Sequence, residues 1–258
     1  MSTNAKQTNR PPAPRTKGKP IRVAAPPPKR SPVLLATIGA IAVGAILIVI
    51  LVLANGLPGG GSSTALAAPA FPTPTDLADG RSLGAAEAPI AIDVWADFQC
   101  PYCARFTDQV ESLIVPLYVK PGEARLTFHD LAFIGQESVD AAVAARVAGD
   151  LGDKFWAYHD MLYANQHGEN KGAFSRERLA DIAVAVGLDR GAFQTAMNDP
   201  KYLAAVKQET AEGNALGISS TPTMYINGQQ FTDLLDWAKV AAALDLLVPA
   251  ASGAAASP

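Results

Sequence analysis

Twenty-two consecutive uncharged, mostly apolar residues, Val33–Ala54, divide the chain into parts that must fold in different surroundings. As a helix rising about 1.5 Å per residue, this run reaches roughly 33 Å, which matches the roughly 30 Å of hydrocarbon in a bilayer. A core helix of that length would carry a polar face, and the apolar part of a cleaved signal peptide spans only about 7–15 residues. We therefore predict an uncleaved transmembrane helix over 33–54; cleavage near Ala65-Leu66-Ala67 is the alternative.

The charges on either side of this run predict its orientation. Residues 1–31 carry eight lysines and arginines and no acid, and the first acidic residue is Asp76. By the positive-inside rule, the N-terminus stays in the cytoplasm and the chain after Asn55 lies outside the cell membrane. Residues 1–32 are rich in Pro, Lys and Arg, so we expect a basic, disordered cytoplasmic tail.

The remaining chain divides by composition. Residues 55–75 are small or Pro-rich and uncharged, which predicts a flexible linker, and residues 249–258 predict a disordered tail. Residues 76–248 remain as one exported domain that holds all 24 acidic residues but only 13 of the 21 basic ones. This acidic balance argues against a nucleic-acid partner. No dimerisation element is apparent, so we expect a monomer.

Hydrophobic patterns within this domain predict an α/β fold. A β-branched and aromatic run, Pro89–Phe98, predicts a buried strand, and Arg125–Phe133 predicts a second one. From 136 to 216 the apolar spacing is helical throughout. A strand over Thr223–Ile226 leads through Asn227-Gly228, a hairpin signal, into a returning strand and a last helix.

The two cysteines of the chain, Cys100 and Cys103, stand where the first strand gives way to a helix. Pro101 suits the first helical position, which places Cys100 at the N-cap. There, unpaired N–H groups and the positive end of the helix dipole favour thiolate over thiol. Cys103, one turn further, is more enclosed and can attack a mixed disulfide formed at Cys100, which yields a Cys100–Cys103 disulfide. The pair therefore predicts thiol–disulfide exchange.

Three other interpretations of the cysteines are weaker. A structural disulfide closing so short a loop would remove only about 2 kcal/mol of chain entropy. A metal site would need two more ligands from His129, His159 and His167, and their spacing supports none. Two unrelated thiols would not explain the strand–CxxC–helix context. We predict no metal and no other cofactor, and structural or surface roles for the three histidines.

Three motifs make the exported domain resemble the DsbA-type branch of the thioredoxin superfamily, specifically the membrane-anchored thiol–disulfide oxidoreductases of bacteria. The motifs are DFQCPYC (Asp97–Cys103), FWAYHDMLYANQ (Phe155–Gln166) and GISSTPTMYINGQ (Gly217–Gln229). The resemblance implies a thioredoxin-like fold with a helical domain, about 136–216, inserted before the strand that follows Pro222. One N-terminal transmembrane helix would precede this α/β fold.

The resemblance also implies the layout of the active site. The Thr221–Pro222 bond would be cis and would face the active-site sulfur, and Thr221 would offer its backbone to an extended substrate chain. Pro101, Tyr102 and Asp97 would be the other neighbours of the two cysteines. Many relatives carry a buried acid where this chain has Val94, so the acid that assists Cys103 is not identified by the resemblance.

The expected activity is that of a membrane-tethered dithiol oxidase that introduces disulfides into exported proteins. Tyr102 stands where the strongest oxidant of the branch has His, so we expect a less oxidising couple. A reductase or isomerase using the same CPYC site is the alternative, and a non-catalytic tethered chaperone or binding module is a further one. As partners we expect exported proteins with cysteines and a membrane protein that reoxidises the dithiol, DsbB-like or vitamin K epoxide reductase-like.

Overall fold

A computed structural model of the 258-residue chain describes residues 65–248. The predicted cytoplasmic tail (1–32), the transmembrane helix (33–54), the first part of the linker and the tail over 249–258 lie outside the described residues. Within the described residues, no helix has the length and apolar character needed to cross a bilayer.

Six strands of the described chain form one mixed sheet in the order β1-β2-β4-β3-β5-β6. The central strands β3 and β4 run parallel, with Ile90 opposite Ala124 and Ala96 opposite Asp130, and the other neighbours pair antiparallel. This arrangement confirms the predicted α/β fold. The strands are β1 (Ala78–Asp79), β2 (Ser82–Leu83), β3 (Ile90–Ala96), β4 (Ala124–Asp130), β5 (Thr223–Ile226) and β6 (Gln229–Phe231).

A continuous helical segment connects β3 to β4. It consists of α1 (Pro101–Phe106), a π-helical stretch Thr107–Glu111, α2 (Ser112–Ile114) and a second π-helical stretch Val115–Val119. Pro116 lies within this segment without ending it, because the helix widens there into the second π-helical stretch. Such a widened turn accommodates a residue that has no N–H to donate.

The helical insertion lies between β4 and β5, within the predicted bounds of 136–216. Asp199, whose carboxylate accepts the Lys201 N–H at 3.0 Å, caps the last helix of the insertion. The insertion comprises α3 (Gln136–Gly152), α4 (Phe155–Ala164), α5 (Arg176–Ala185), α6 (Arg190–Ala196) and α7 (Pro200–Ala215), and α8 (Trp237–Asp245) follows the hairpin.

Strand β4 ends at Asp130, three residues before the predicted end at Phe133. The Leu131 N–H still donates to the Ala96 carbonyl of β3. The next three N–H groups donate to side chains instead: Ala132 to the Thr210 hydroxyl, and Phe133 and Ile134 to one oxygen of the Asp97 carboxylate. The chain therefore turns away from the sheet toward the site described below.

Residues 65–75 pack against the domain, so the predicted flexible linker is wrong over this part. Ala67 donates its N–H to Asn165 Oδ1 at 2.9 Å, and Asn165 Nδ2 donates back to the Ala67 carbonyl at 2.9 Å. Thr73 donates its N–H and its hydroxyl to the Asp160 carboxylate at 2.6 and 3.0 Å. Asn165 and Asp160 are buried, and a buried amide or carboxylate needs such partners.

A network of charged side chains ties the insertion to the sheet. Glu209 on α7 accepts from Arg81 at 2.6 Å and from Arg146 at 2.5 Å, and Arg146 also donates to the buried Asp130 at 2.6 Å. His129 on β4 lies between two carboxylates, with Nε2 2.9 Å from Asp93 and Nδ1 3.0 Å from Glu209. Both ring nitrogens therefore meet acceptors, which favours the imidazolium.

We predict that His129 makes the stability of the fold pH-dependent. Burial alone would lower the pKa of His129, but the hydrogen bonds to Asp93 and Glu209 raise it to about 9. A raised histidine pKa gives stability that is complete below the unfolded value, about 6.5, and is lost as the pH rises through the folded value. His129→Gln should therefore lower the free energy of unfolding by about 1–3 kcal/mol at slightly acidic pH, and the deficit should shrink toward pH 9.

Denaturant unfolding of the parent protein and of His129→Gln, from slightly acidic pH to pH 9, checks the prediction. Cys100 and Cys103 are present in both proteins, so their contributions cancel in the difference between the two free energies of unfolding. The exposed His167 provides the matched control. The free energy of unfolding of His167→Gln should stay close to that of the parent protein at every pH. A deficit for His129→Gln that is constant with pH would contradict the assigned charge.

Candidate active site

The CPYC sequence forms the turn from β3 into α1. Cys100 has extended backbone angles (φ −70°, ψ 121°) and is the N-cap, and Pro101 is the first helical residue. The Cys100 carbonyl accepts the N–H groups of Cys103 and Ala104 at 3.1 and 3.3 Å, which closes the first turn. The placement predicted for Cys100 and Pro101 is confirmed.

The two thiols differ in their exposure to solvent and in their pKa. Both are free thiols in the structure; Cys100 is 6% exposed and Cys103 1%. The hydrogen bond from Cys103, aided by Thr221 and by the N–H groups of Cys103 and Tyr102, lowers the pKa of Cys100 to about 6 against the opposing effect of burial. Burial, followed by the neighbouring Cys100 sulfur, raises the pKa of Cys103 well above its ordinary value. A thiolate therefore forms more readily at Cys100 than at Cys103.

The loop before β5 faces Cys100. The Thr221–Pro222 peptide bond is cis, as the resemblance implied. The Cys100 thiol donates to the Thr221 carbonyl at 3.3 Å, and the buried Thr221 hydroxyl has no hydrogen-bond partner within residues 65–248. Antiparallel pairing of β5 with β3, Thr223 opposite Trp95, holds this loop beside the cysteines.

An open groove of about 440 Å³ runs from this loop past Tyr102. Tyr102 is 55% exposed, so the ring between the two cysteines is available to a bound chain. Pro222, Leu234 and Leu235 supply apolar surface to the same groove. An extended segment placed here would lie beside the Cys100 sulfur.

The Asp97 carboxylate is fully engaged by hydrogen-bond donors of the surrounding chain. One oxygen accepts the Gln99 N–H at 2.8 Å and the Ser138 hydroxyl at 2.6 Å. The other accepts the N–H groups of Phe133 and Ile134 at 3.0 and 3.2 Å. Asp97 thus lies next to the site, as predicted, and its contacts join the CPYC turn to the chain after β4.

Two glutamines that received no role from the sequence also fix this turn. Gln166, just after α4, donates its amide to the carbonyls of Phe98 and Cys100, the latter at 3.2 Å. Gln99 donates to the Ser138 hydroxyl at 2.8 Å and accepts the Asn170 N–H at 2.6 Å. Both lie inside the motifs quoted above, but their partners are 39 to 71 residues away, so spacing alone does not reveal them.

A second buried polar group lies beneath residues 65–75. A carboxylate oxygen of Glu111, a ring nitrogen of His159 and a carboxylate oxygen of Asp160 all lie within 4.8 Å of one another. His159 Nδ1 is 2.9 Å from Asp160, whereas His159 Nε2 lies 3.9 Å from Glu111 and has no hydrogen-bond partner in the described part of the chain. The buried Tyr163 hydroxyl likewise has none among these residues, and the ring centroids of Tyr163 and His159 are 4.9 Å apart. His159 is buried, which agrees with its predicted structural role, but the acids around it were not anticipated.

An N-capping thiol set against a cis-proline loop, on this sheet order, defines a thiol–disulfide oxidoreductase of the thioredoxin fold. The sequence profile described as thioredoxin matches residues 76–246, and the chain belongs to this family. It is similar to disulfide bond formation proteins of Bacillus and shares its fold with solved DsbA structures.

Three comparisons illustrate that placement. The chain is 25% identical over 151 residues to a probable disulfide bond formation protein D of Bacillus anthracis. The aligned region covers 57% of this chain and 70% of that protein. Oxidised BdbD from Bacillus subtilis superposes with a TM-score of 0.62 at 20% identity, covering 71% of this chain and 99% of that one. A thioredoxin-like oxidoreductase from Silicibacter pomeroyi gives a TM-score of 0.55 at 27% identity, covering 66% and 92%.

We predict that the reduced protein forms a thiolate at Cys100 in mildly acidic solution. Titration of the ultraviolet thiolate absorbance should show a transition centred at about pH 6. Cys103→Ala should move the transition upward, because the hydrogen bond from Cys103 is the largest cause of the lowered pKa, and Cys100→Ser should abolish it. A single transition near the ordinary value of 9.0 in the parent protein would contradict the site geometry.

Proposed function

We propose that the protein is a membrane-anchored, extracytoplasmic dithiol oxidase that introduces disulfides into exported proteins through Cys100 and Cys103. The observation that carries this proposal is the lowered pKa of Cys100 beside a buried thiol of raised pKa. Stabilising the Cys100 thiolate stabilises the reduced form of the couple, which makes the Cys100–Cys103 disulfide a stronger oxidant.

In the proposed reaction, a substrate thiolate attacks Cys100 Sγ of the Cys100–Cys103 disulfide. A mixed disulfide forms, and the electron pair of the broken S–S bond goes to Cys103, which takes up a proton. A second substrate thiolate then attacks the substrate sulfur of the mixed disulfide, and Cys100 leaves as a thiolate. Its low pKa makes Cys100 a good leaving group, so the substrate gains the disulfide and the protein is left as a dithiol.

Substrate would bind along the Thr221–Pro222 loop. In this proposal, Thr221 presents its backbone to an extended substrate segment, and the groove beside Tyr102 and Pro222 accepts neighbouring apolar side chains. Pro101 serves by starting α1, which holds Cys100 at the N-cap. Tyr102 adds no positive charge beside the thiolate, so the couple should be less oxidising than one with His between the cysteines.

The proposed location and partners rest on the sequence and on the names of the relatives. The apolar run 33–54 with basic residues before it would anchor the domain outside the membrane. Residues 65–75 pack on the domain, so only 55–64 would remain as the spacer between the anchor and the domain. Turnover requires a membrane protein that reoxidises the dithiol, DsbB-like or vitamin K epoxide reductase-like. The domain would act as a monomer, without nucleic acid and without a bound cofactor or metal.

We predict a reduction potential for the Cys100–Cys103 couple more positive than about −230 mV, between thioredoxin and the strongest oxidase. Equilibration of the purified protein with glutathione mixtures, followed by alkylation and mass measurement, gives the value. The same protein should oxidise a reduced two-cysteine peptide faster than it reduces insulin.

A potential near −270 mV with faster insulin reduction would overturn the oxidase and assign a reductase. Efficient reshuffling of scrambled disulfides at an intermediate potential would assign an isomerase. Failure of the Cys100→Ser and Cys103→Ser variants to lose exchange activity would remove the cysteine pair from the chemistry altogether.

A further inference from the structure

Two consecutive residues directly after α4, Asn165 and Gln166, join two distant parts of the chain. Asn165 accepts the Ala67 N–H with its side-chain oxygen and donates its side-chain amide to the Ala67 carbonyl, both at 2.9 Å. Gln166 donates its side-chain amide to the carbonyls of Phe98 and Cys100, the latter at 3.2 Å. Because neighbouring Cα atoms are only about 3.8 Å apart, the segment 65–75 and the CPYC turn are attached to the same short piece of backbone.

The contact between Asn165 and Ala67 leaves little freedom to either residue. Asn165 is 1% exposed, and its amide also donates to the Met161 carbonyl at 2.8 Å. An asparagine side chain has one acceptor oxygen and two amide hydrogens, and all three are used here. Without Ala67, the oxygen and one of the hydrogens would be buried and unpaired, which is unfavourable. The position of Asn165 therefore depends on the docking of Ala67.

A second contact attaches the same segment to the middle of α4. Thr73 donates its N–H and its hydroxyl to the Asp160 carboxylate at 2.6 and 3.0 Å. Asp160 is also 2.9 Å from His159 Nδ1, and the His159 ring packs edge-on against Phe98, with the ring centroids 5.8 Å apart. The segment is thus fixed at two points, and the residue beside each of them, His159 or Gln166, contacts Phe98 just before the CPYC turn.

Gln166 also holds the backbone at the point where the first cysteine begins the helix. The Cys100 carbonyl accepts three N–H groups: those of Cys103 and Ala104 in α1, at 3.1 and 3.3 Å, and the Gln166 amide at 3.2 Å. The orientation of this carbonyl defines the ψ angle of Cys100, which is 121°. Fixing the carbonyl therefore fixes the direction of the Cys100 side chain relative to the first turn of α1.

We propose that residues 65–75 position the exchange site: by docking on α4 they hold Asn165 and Gln166, and Gln166 keeps the Cys100 backbone at the N-cap. This proposal deepens the function proposed above and rests on it. The segment takes no part in the chemistry and acts only through the two side chains. The stretch between the predicted anchor and the domain would then have two roles, with 55–64 as a spacer and 65–75 as a support for the cysteine pair.

Loss of this support should weaken the oxidant. The groups that favour the Cys100 thiolate are Cys103, Thr221 and the N–H groups at the start of α1, and each acts only while the sulfur stays close to it. A mobile turn makes these contacts for only part of the time, so the thiolate becomes less stable. A less stable thiolate means a less stable reduced form, and the Cys100–Cys103 disulfide is then less oxidising.

The test compares two ten-residue replacements in the full-length protein. One replaces 65–74 with glycine and serine, and the matched control replaces 55–64 in the same way; both stretches are uncharged and equally long. The thiolate absorbance of the reduced protein and the glutathione equilibrium of the cysteine pair are then measured. Replacing 65–74 should raise the thiolate transition by about half a pH unit or more and shift the equilibrium toward the disulfide by roughly threefold or more. The control should match the parent protein.

Gln166→Met tests the route, because methionine has a similar length and donates no hydrogen bond. It should shift both quantities in the same direction as the 65–74 replacement. Gln194→Met, at an exposed glutamine of α6, should shift neither. Combining Gln166→Met with the 65–74 replacement should add little to the larger of the two single effects, because both changes remove the same support.

Parental values in the 65–74 replacement or in Gln166→Met would overturn the proposal, as would equal shifts from the two replacements or additive effects in the combined protein. If the replaced protein fails to fold, Thr73→Val decides instead. It deletes one hydrogen bond to Asp160, so it should shift both quantities the same way by a smaller amount, and parental values would overturn the proposal. Failure of the parent protein to oxidise a reduced two-cysteine peptide would overturn the proposed function alone, since both quantities are measured without substrate.

Discussion

The Asp97 carboxylate joins the parts of the molecule that the site requires. It accepts hydrogen bonds from the CPYC turn, from the chain after β4 and from Ser138 on α3. Hydrogen bonds to an ionised acceptor are about twice as strong as neutral ones. One buried side chain therefore ends the second central strand, fixes the turn before Cys100 and docks the insertion. The N-cap position of Cys100 depends on this turn, and its lowered pKa comes first from the hydrogen bond with Cys103 and then from Thr221 and the N–H groups at the start of α1.

The difference between the two thiols follows from that placement. Pro101 starts the helix and leaves Cys100 beside the N–H groups of Tyr102 and Cys103, while Cys103 is buried in the core one turn later. The antiparallel β5 brings the cis-proline loop against the same sulfur. The insertion contributes through Gln166, whose side-chain amide donates to the Cys100 carbonyl at 3.2 Å. The thioredoxin sheet and the helical insertion thus each supply part of one site.

Local signals in the sequence were sufficient for much of this structure. Pro101 favours the start of a helix directly after Cys100, and Thr-Pro-Thr marks a loop directly before β5. These effects involve only neighbouring residues, so the N-cap at Cys100 and the Thr221–Pro222 loop could be predicted. The packing of 65–75 could not be predicted, because this stretch is uncharged and resembles a linker. Its residue Ala67 bonds to Asn165, which is 98 residues away in the sequence. The early end of β4 depends on Asp97, and the group around Glu111 depends on α4 crossing a π-helical stretch. Such contacts are decided by tertiary packing, which hydrophobic periodicity does not encode.

The central claim is that Cys100 forms the mixed disulfide with substrate, and that Cys103 is the thiol released in oxidation and the one that attacks the mixed disulfide in the reverse direction. Trapping tests it directly: each single cysteine-to-serine variant of the full-length protein is incubated with a disulfide-linked peptide, and the adducts are measured by mass. The account predicts that Cys103→Ser accumulates a stable mixed disulfide at Cys100, already in mildly acidic solution, and that Cys100→Ser accumulates almost none. Equal trapping by the two variants, or trapping only through Cys103, would contradict it.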